Sequence, residues 1–356
     1  MHHRLLLGST ALVSAGLLFG GAASAQEIEV TLGGYTEFGA LGATDETLQG
    51  DPDRGYTFFM DNEVHIQATG VSDGGLTYGS YLEMEAGSGS APALQDDPAN
   101  NDNAGEVFVD EVNLFFSGGF GRIELGRQDG PEDVMLAGGE DAQSGTGGVD
   151  GDTANLSSII DLNLGDATKA MYFTPRVGGF QLGAGYTPDT GDDGGRDGPG
   201  FDGGHYNVVE GGANWVGAFG GVDLTLSGVA VYGDSEDDDV DERLDYAVGG
   251  LIGVGGLSFG ATWGQRTDFA EADWAHLGLK YEFGGASASL GYTYGDVDAF
   301  DDEQHVFVVS GDVGLAPGLT LKGDVSYNTE DPGNDDSAGA DQDDTISGIV
   351  TVQMDY

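Results

Sequence analysis

The twenty residues Tyr246 to Gln265, YAVGGLIGVGGLSFGATWGQ, carry no charge and admit two incompatible readings. As a helix they would be long enough to cross a bilayer, which takes about 20 residues. Seven of them are glycine, however, with Gly249-Gly250 and Gly255-Gly256 as pairs. Each glycine costs a helix roughly 1 kcal/mol relative to alanine. The apolar residues also alternate instead of following a helical period: Leu244, Tyr246 and Val248, then Leu257, Phe259, Ala261 and Trp263. The stretch reads as two strands joined by a turn at Val254-Gly255.

The same alternation extends in both directions. It runs through Ile28-Val30-Leu32, Leu76-Tyr78-Ser80-Leu82-Met84, Val112-Leu114-Phe116, Phe180-Leu182-Ala184-Tyr186 and Leu319-Leu321-Gly323-Val325-Tyr327, and it ends with Val350-Val352-Met354-Tyr356. The intervening positions are mostly Gly, Ser, Thr, Asn, Glu or Asp, so each segment has one apolar and one wet face. Sixteen such segments can be counted.

Composition narrows the classes further. With 66 glycines in 356 residues a helical bundle is a poor expectation, and aromatics at 10% are too many for a disordered acidic chain. The 62 acids against 11 bases give a formal charge of −51, which repels a phosphate backbone and excludes nucleic acid as partner. The absence of cysteine removes disulfides, thiolate metal sites and cysteine nucleophiles.

Residues 1–25 read as a secretory signal. Met1 to Arg4 is a short basic segment, Leu5 to Gly20 is apolar, and Ala23-Ser24-Ala25 offers the small residues that a signal peptidase accepts before Gln26. Residues 26–356 are then a single domain.

The connections between strands alternate between long and tight. Long segments are expected near 41–55, 88–105, 128–167, 188–205, 233–241, 268–271, 296–303 and 329–343. Tight turns are expected at Ser72-Asp73-Gly74, Gly118-Gly119, Pro175 to Gly178, 217–220, Val254-Gly255, Gly284 and Ala316-Pro317. By these boundaries 40 of the 62 acids fall in the long loops, while the tight turns hold only Asp73. One end of the molecule is long-looped and anionic, and the other is trimmed short.

A secreted sandwich would point its apolar faces inward. An even strand number with long and short connections in alternation instead matches a closed antiparallel transmembrane β-barrel, closed because no water in a bilayer satisfies an open sheet edge. Arg122, Arg243, Arg266, Lys280 and Lys322 all lie opposite the apolar rows of their strands, and Lys169 is placed with them. A base on the lipid face at mid-membrane costs about 2–4 kcal/mol.

EVNLFFSGGFGRIELGRQDGPEDVMLAGGED (Glu111 to Asp141) resembles the region of Gram-negative general porins that leads into their third loop, and AMYFTPRVGGFQLGAGYT (Ala170 to Thr187) is similar to the pair that follows. The terminal Tyr356 resembles the end of the strand read by the barrel-assembly machinery. Glycine abundance and acidity look most like alphaproteobacterial porins. The resemblance implies a homotrimer of sixteen-stranded barrels in the outer membrane, each a water-filled channel for small hydrophilic solutes and ions, with the third loop folded into the lumen.

A lumen of this size is too wide for side chains to fill, and the long segment near 128–167 is the natural constriction. Its Asp129, Glu132, Asp133, Glu140 and Asp141 are the candidate constriction acids. Arg127, in a Gly-Arg-Gln that resembles the family's start of loop 3, and Arg122 are the candidate wall bases. Strict alternation puts Arg127 on the apolar face, so a place in the lumen relies on a bend at Gly126. Strands 1 to 3, which commonly supply wall bases in the family, here turn inward Tyr35, Glu37, Asp61, Glu63, His65, Tyr81, Glu83 and Glu85. That departure points to cation preference.

Other chemistry is thin. His65, His205, His276 and His305 are scattered without an HExxH spacing, no serine sits in a nucleophile context, and neither an enzyme nor a cofactor is expected. The Asp-rich runs Glu236 to Glu242 and Asp341 to Asp344 miss the EF-hand pattern. They read either as solvated loops or as loose Ca2+ sites. A surface adhesion barrel that uses these loops is the alternative to a channel.

Overall fold

The computed structural model describes residues 28–44, 55–86, 107–148, 162, 167–190, 205–235, 242–267, 271–297, 302–332 and 344–356. The signal segment, most of the long loops, both Asp-rich runs apart from Glu242 and Asp344, and most of 149–166 lie outside these residues.

Sixteen strands follow one another along the chain. They are β1 (Glu29–Ala43), β2 (Tyr56–Val71), β3 (Thr77–Ala86), β4 (Val107–Gly118), β5 (Gly121–Arg127), β6 (Thr168–Phe173), β7 (Phe180–Asp189) and β8 (His205–Phe219), then β9 (Val222–Ser235), β10 (Arg243–Val254), β11 (Leu257–Arg266), β12 (Ala272–Phe283), β13 (Ala286–Val297), β14 (Asp302–Ala316), β15 (Leu319–Pro332) and β16 (Thr345–Asp355). Each pairs antiparallel with its sequence neighbours, and β1 pairs with β16, so the sheet closes into a barrel. At the seam Tyr35 lies opposite Asp355, and the Tyr356 amide donates to the Gly34 carbonyl at 3.1 Å. Among the described residues no helix is long and apolar enough to cross a membrane. The crossing elements are strands.

The alternation sorts the two faces as expected outside. Leu32, Phe58, Leu182, Leu226, Leu290 and Val350 stand exposed on the outer surface, Leu32 at 60% and Phe58 at 62%. In water such a belt would be a liability of many apolar side chains, whereas a bilayer covers it. Tyr246–Gln265 is a hairpin, with Tyr246 opposite Gln265 and Val254 opposite Leu257. Its turn is Gly255-Gly256, one residue later than the sequence suggested. Both glycines have positive φ, 56° and 87°. A two-residue hairpin turn of this hand matches strand twist and strongly favours glycine. Gly220-Gly221 and Gly284-Gly285 repeat the pattern.

The inner face departs from expectation. It is not wet throughout: Met171 and Phe173 of β6, Val229 of β9, Ala247 of β10 and Trp274 of β12 form a buried apolar cluster with Met135, which lies in the segment after β5. A second cluster, Leu41, Phe59 and Ile349, sits inside near the seam.

Candidate functional site: the inner wall and the segment lying on it

The segment after β5 opens with a single helical turn, α1 (Pro131–Val134), and continues through a 3₁₀ turn at Glu140–Ala142. From Met135 to Thr146 it is held by side chains of the polar rows of the wall. Asn214 of β8 donates to the Met135 carbonyl at 3.4 Å. Ser227 of β9 accepts from the Ala137 amide at 2.9 Å and donates to its carbonyl at 3.0 Å. Thr262 of β11 accepts from the Gly139 amide at 3.0 Å and donates to Glu140 Oε2 at 2.8 Å. Ser289 of β13 and Asp324 of β15 accept from the Ser144 and Thr146 amides at 2.9 and 2.8 Å.

Glycines in the same rows make the seat. A Cβ on Gly249 would lie 2.2 Å from the Ala137 carbonyl oxygen, on Gly260 1.9 Å from that of Gly138, and on Gly278 2.0 Å from that of Gly139. Gly183 and Gly212, paired across β7 and β8, leave the space that the Met135 side chain fills. Part of the glycine excess on the wet face thus makes room for backbone, which alternation alone does not reveal.

The candidate constriction acids divide. Glu140 and Asp141 are half-buried, Glu140 held by Thr262 and Asp141 accepting from the Gly138 amide at 2.7 Å. Asp129 is half-buried as well. Glu132 and Asp133 are buried, Glu132 completely. The Glu132 carboxyl is pushed up to about 8, first by burial and next by the charge of Glu210 on β8, against the pull of Lys169 on β6. Lys169 and Glu210 are themselves fully buried and ion-paired at 3.1 Å. Glu132 therefore serves the joint between segment and wall, not the open water of the lumen.

The wall residues divide too. Arg122 faces inward, its guanidinium 4.2 Å from the centre of the Phe115 ring and paired with Glu124. Arg127 sits opposite Val112 of β4 and Thr168 of β6, both in outward rows, and donates to the Val109 carbonyl at 3.2 Å. The bend at Gly126 does not bring Arg127 round. The side chain is long enough to reach backbone at the barrel's edge, so alternation decides its place.

The acids of β1 to β3 gather as one patch. Glu37 is ion-paired with Lys322 of β15 at 3.2 Å. Tyr35 donates to Asp61 at 2.8 Å and to Glu63 at 2.7 Å, Tyr81 donates to Glu83, and His65 lies between Glu63 and Glu83. Glu63, Glu83 and Glu85 are buried.

Across the ring, Arg243 of β10 and Arg266 of β11 share Asp245, at 2.6 and 3.3 Å. Arg243 also donates to the Leu162 carbonyl at 3.4 Å. The sequence marks these arginines as inward but gives no sign that they meet, because Asp245 and Arg266 come together only through the β10–β11 register.

The closed sixteen-stranded barrel, with an apolar outer belt and a largely polar inner face, defines a transmembrane β-barrel protein. A family model described as Gram-negative porin matches residues 8–333. The chain belongs to that family, and with it to the outer membrane. Among solved structures it is similar to an anion-selective porin from Comamonas acidovorans, with 16% identity and a TM-score of 0.65 over 93% of this chain and 100% of that one. It is likewise similar to mutants of the Rh. blastica porin, one of them at 16% identity and a TM-score of 0.60 over 92% of this chain and 100% of that one. No curated protein matches the chain.

Proposed function

We propose that this chain is a diffusion channel for small hydrophilic solutes and ions, that it prefers cations, and that it works as a homotrimer. The observation that carries the reading is the asymmetry of the interior. The segment after β5 is hydrogen-bonded along the wall from β8 to β15, and the opposite strands β1 to β3 present Glu37, Asp61, Glu63, Glu83 and Glu85. Solutes would pass between the two. Arg243 and Arg266 lie on the wall that carries the segment and are both paired with Asp245, whereas β1 to β3 carry no lysine or arginine. The side opposite the segment is therefore the acidic one. The Comamonas protein is named for anion selectivity; at 16% identity it shares the barrel, and the charges on this wall point the other way.

Export by residues 1–25 and insertion by the barrel-assembly machinery at the strand ending in Tyr356 complete the proposal. Diffusion requires no cofactor. The test is a reversal potential across a planar bilayer with a KCl gradient in the dilute range. Potassium preference is expected, and a chloride preference overturns the selectivity reading. An absence of steady current overturns the channel itself.

A further inference from the structure

Glu63 and His65 are two residues apart on β2, so their side chains share the inner face, and Glu83 on β3 lies directly opposite His65. Directly opposed residues bring their Cβ atoms to about 4.5–5.5 Å. The side chains close the remaining gap. His65 Nε2 stands 2.9 Å from Glu63 Oε2 and 3.5 Å from Glu83 Oε2. One ligand atom from each of the three residues lies within 4.8 Å of the others.

We propose that Glu63, His65 and Glu83 bind a divalent transition-metal ion, Zn2+ being the best fit. Zn2+ takes imidazole nitrogen and carboxylate oxygen at about 2.0–2.2 Å in tetrahedral geometry, which sets the edges between ligand atoms at about 3.3–3.6 Å. The two His65–carboxylate edges, 2.9 and 3.5 Å, need only small side-chain shifts to reach that shell.

The donors are also held from behind. The Tyr35 hydroxyl donates to Glu63 Oε1 at 2.7 Å, which leaves Oε2 turned toward the imidazole, and the Tyr81 hydroxyl donates to Glu83. Such outer partners fix ligand orientation and tune affinity. Both carboxylates are buried, while the His65 side chain keeps 29% of its surface. The fourth position is thus open to lumen water or a passing ligand. One imidazole with two carboxylates suits Zn2+ and its transition-metal neighbours, whereas Ca2+ takes six to eight oxygens and gains little from imidazole. Binding places the metal where a proton between Nε2 and Glu63 would otherwise sit, so it releases a proton and weakens in acid.

The binding test needs no current, so it is independent of the transport reading. Full-length mature protein in detergent is titrated with ZnCl2 at pH 7 by calorimetry, and again with CaCl2 present in excess. A Zn2+ equivalent that Ca2+ does not displace is expected. It should be lost in His65→Gln and in Glu83→Gln, each checked for an intact barrel by circular dichroism, and weakened about tenfold in Tyr35→Phe. Zn2+ binding that survives both ligand substitutions in folded protein, or that Ca2+ displaces equally well, overturns the site.

Discussion

Glu132 shows how one buried carboxyl sets the attachment of a whole segment. Its side chain folds over Gly130, where a Cβ would lie 2.1 Å from Glu132 Oε2, and no water reaches it. The folded carboxyl holds its proton to about 8, whereas a detached one releases it near 4.5. A raised acid favours the attached state fully at low pH. That advantage is lost as pH climbs from 4.5 through about 8, and it is flat beyond. Raising pH from 6 to 9 should therefore loosen α1 from Lys169 and Glu210. Amide hydrogen exchange of residues 131–136, corrected for the intrinsic pH dependence, should show the loosening in wild type and not in Glu132→Gln. Equal protection loss in both proteins would assign the effect to another group. Nothing in the sequence distinguishes Glu132 from Asp129, because burial depends on Lys169 and Glu210 arriving from β6 and β8. The metal-binding trio is hidden for the same reason. Glu63 and His65 are visibly on one face, but Glu83 joins them only once the turn between β2 and β3 fixes the register. Moving that turn by one residue would pair His65 with a residue of the opposite face.

At the scale of elements, the strands are legible because a period of two survives every glycine. The turns are legible to within a residue or two, since runs such as Val254-Gly255-Gly256 offer more than one closure. The track for the third loop is not legible. Inward Gly183, Gly212, Gly249, Gly260 and Gly278 look like any small residues of a wet face until the loop backbone is laid over them. The carbonyls of Gly138 and Gly139 cannot swing aside as a side-chain end could. Gly260→Ala or Gly278→Ala should then lift the segment, at a cost of about 1–3 kcal/mol for overpacking. Single-channel conductance should fall and its noise increase. Gly211→Ala meets nothing within 4 Å and should leave conductance unchanged. If all three variants conduct alike, the seat does not hold the segment.

At the scale of the whole molecule, the proposed trimer would form through the outer surface. A barrel whose outward rows met only lipid would have no reason to associate, and close contact requires small residues. Ala288 of β13, with Gly34, Ala40 and Gly42 of β1 and Gly348 of β16, supplies them in outward rows. Cross-linking in native membranes should yield trimers, and bulky substitutions such as Ala40→Trp should reduce them while leaving the barrel closed. Monomers alone in the wild type would remove the trimer from the proposal.

Charge acts at the same scale, and its reach depends on salt. The Debye length is about 30 Å at 0.01 M and about 3 Å at 1 M. The field of the lumen walls therefore reaches far into the passage only in dilute salt. Glu140 and Asp141 lie on the segment pinned to the wall across the ring from β1 to β3, and both are half-buried. Replacing them as Glu140→Gln and Asp141→Asn removes two charges from one side of the passage. Cation preference should fall at low salt, while conductance in 1 M KCl stays nearly unchanged. Removing Asp237, Asp238 and Asp239 from the run after β9 takes away three charges of the same sign. They fall in sequence between β9 and β10, in one of the long acidic connections expected from the sequence, so the effect on the reversal potential should be smaller despite the larger change in net charge. An outer-loop effect that exceeds the effect of Glu140 and Asp141 would mean that bulk acidity, not the arrangement of the inner wall, selects the ion.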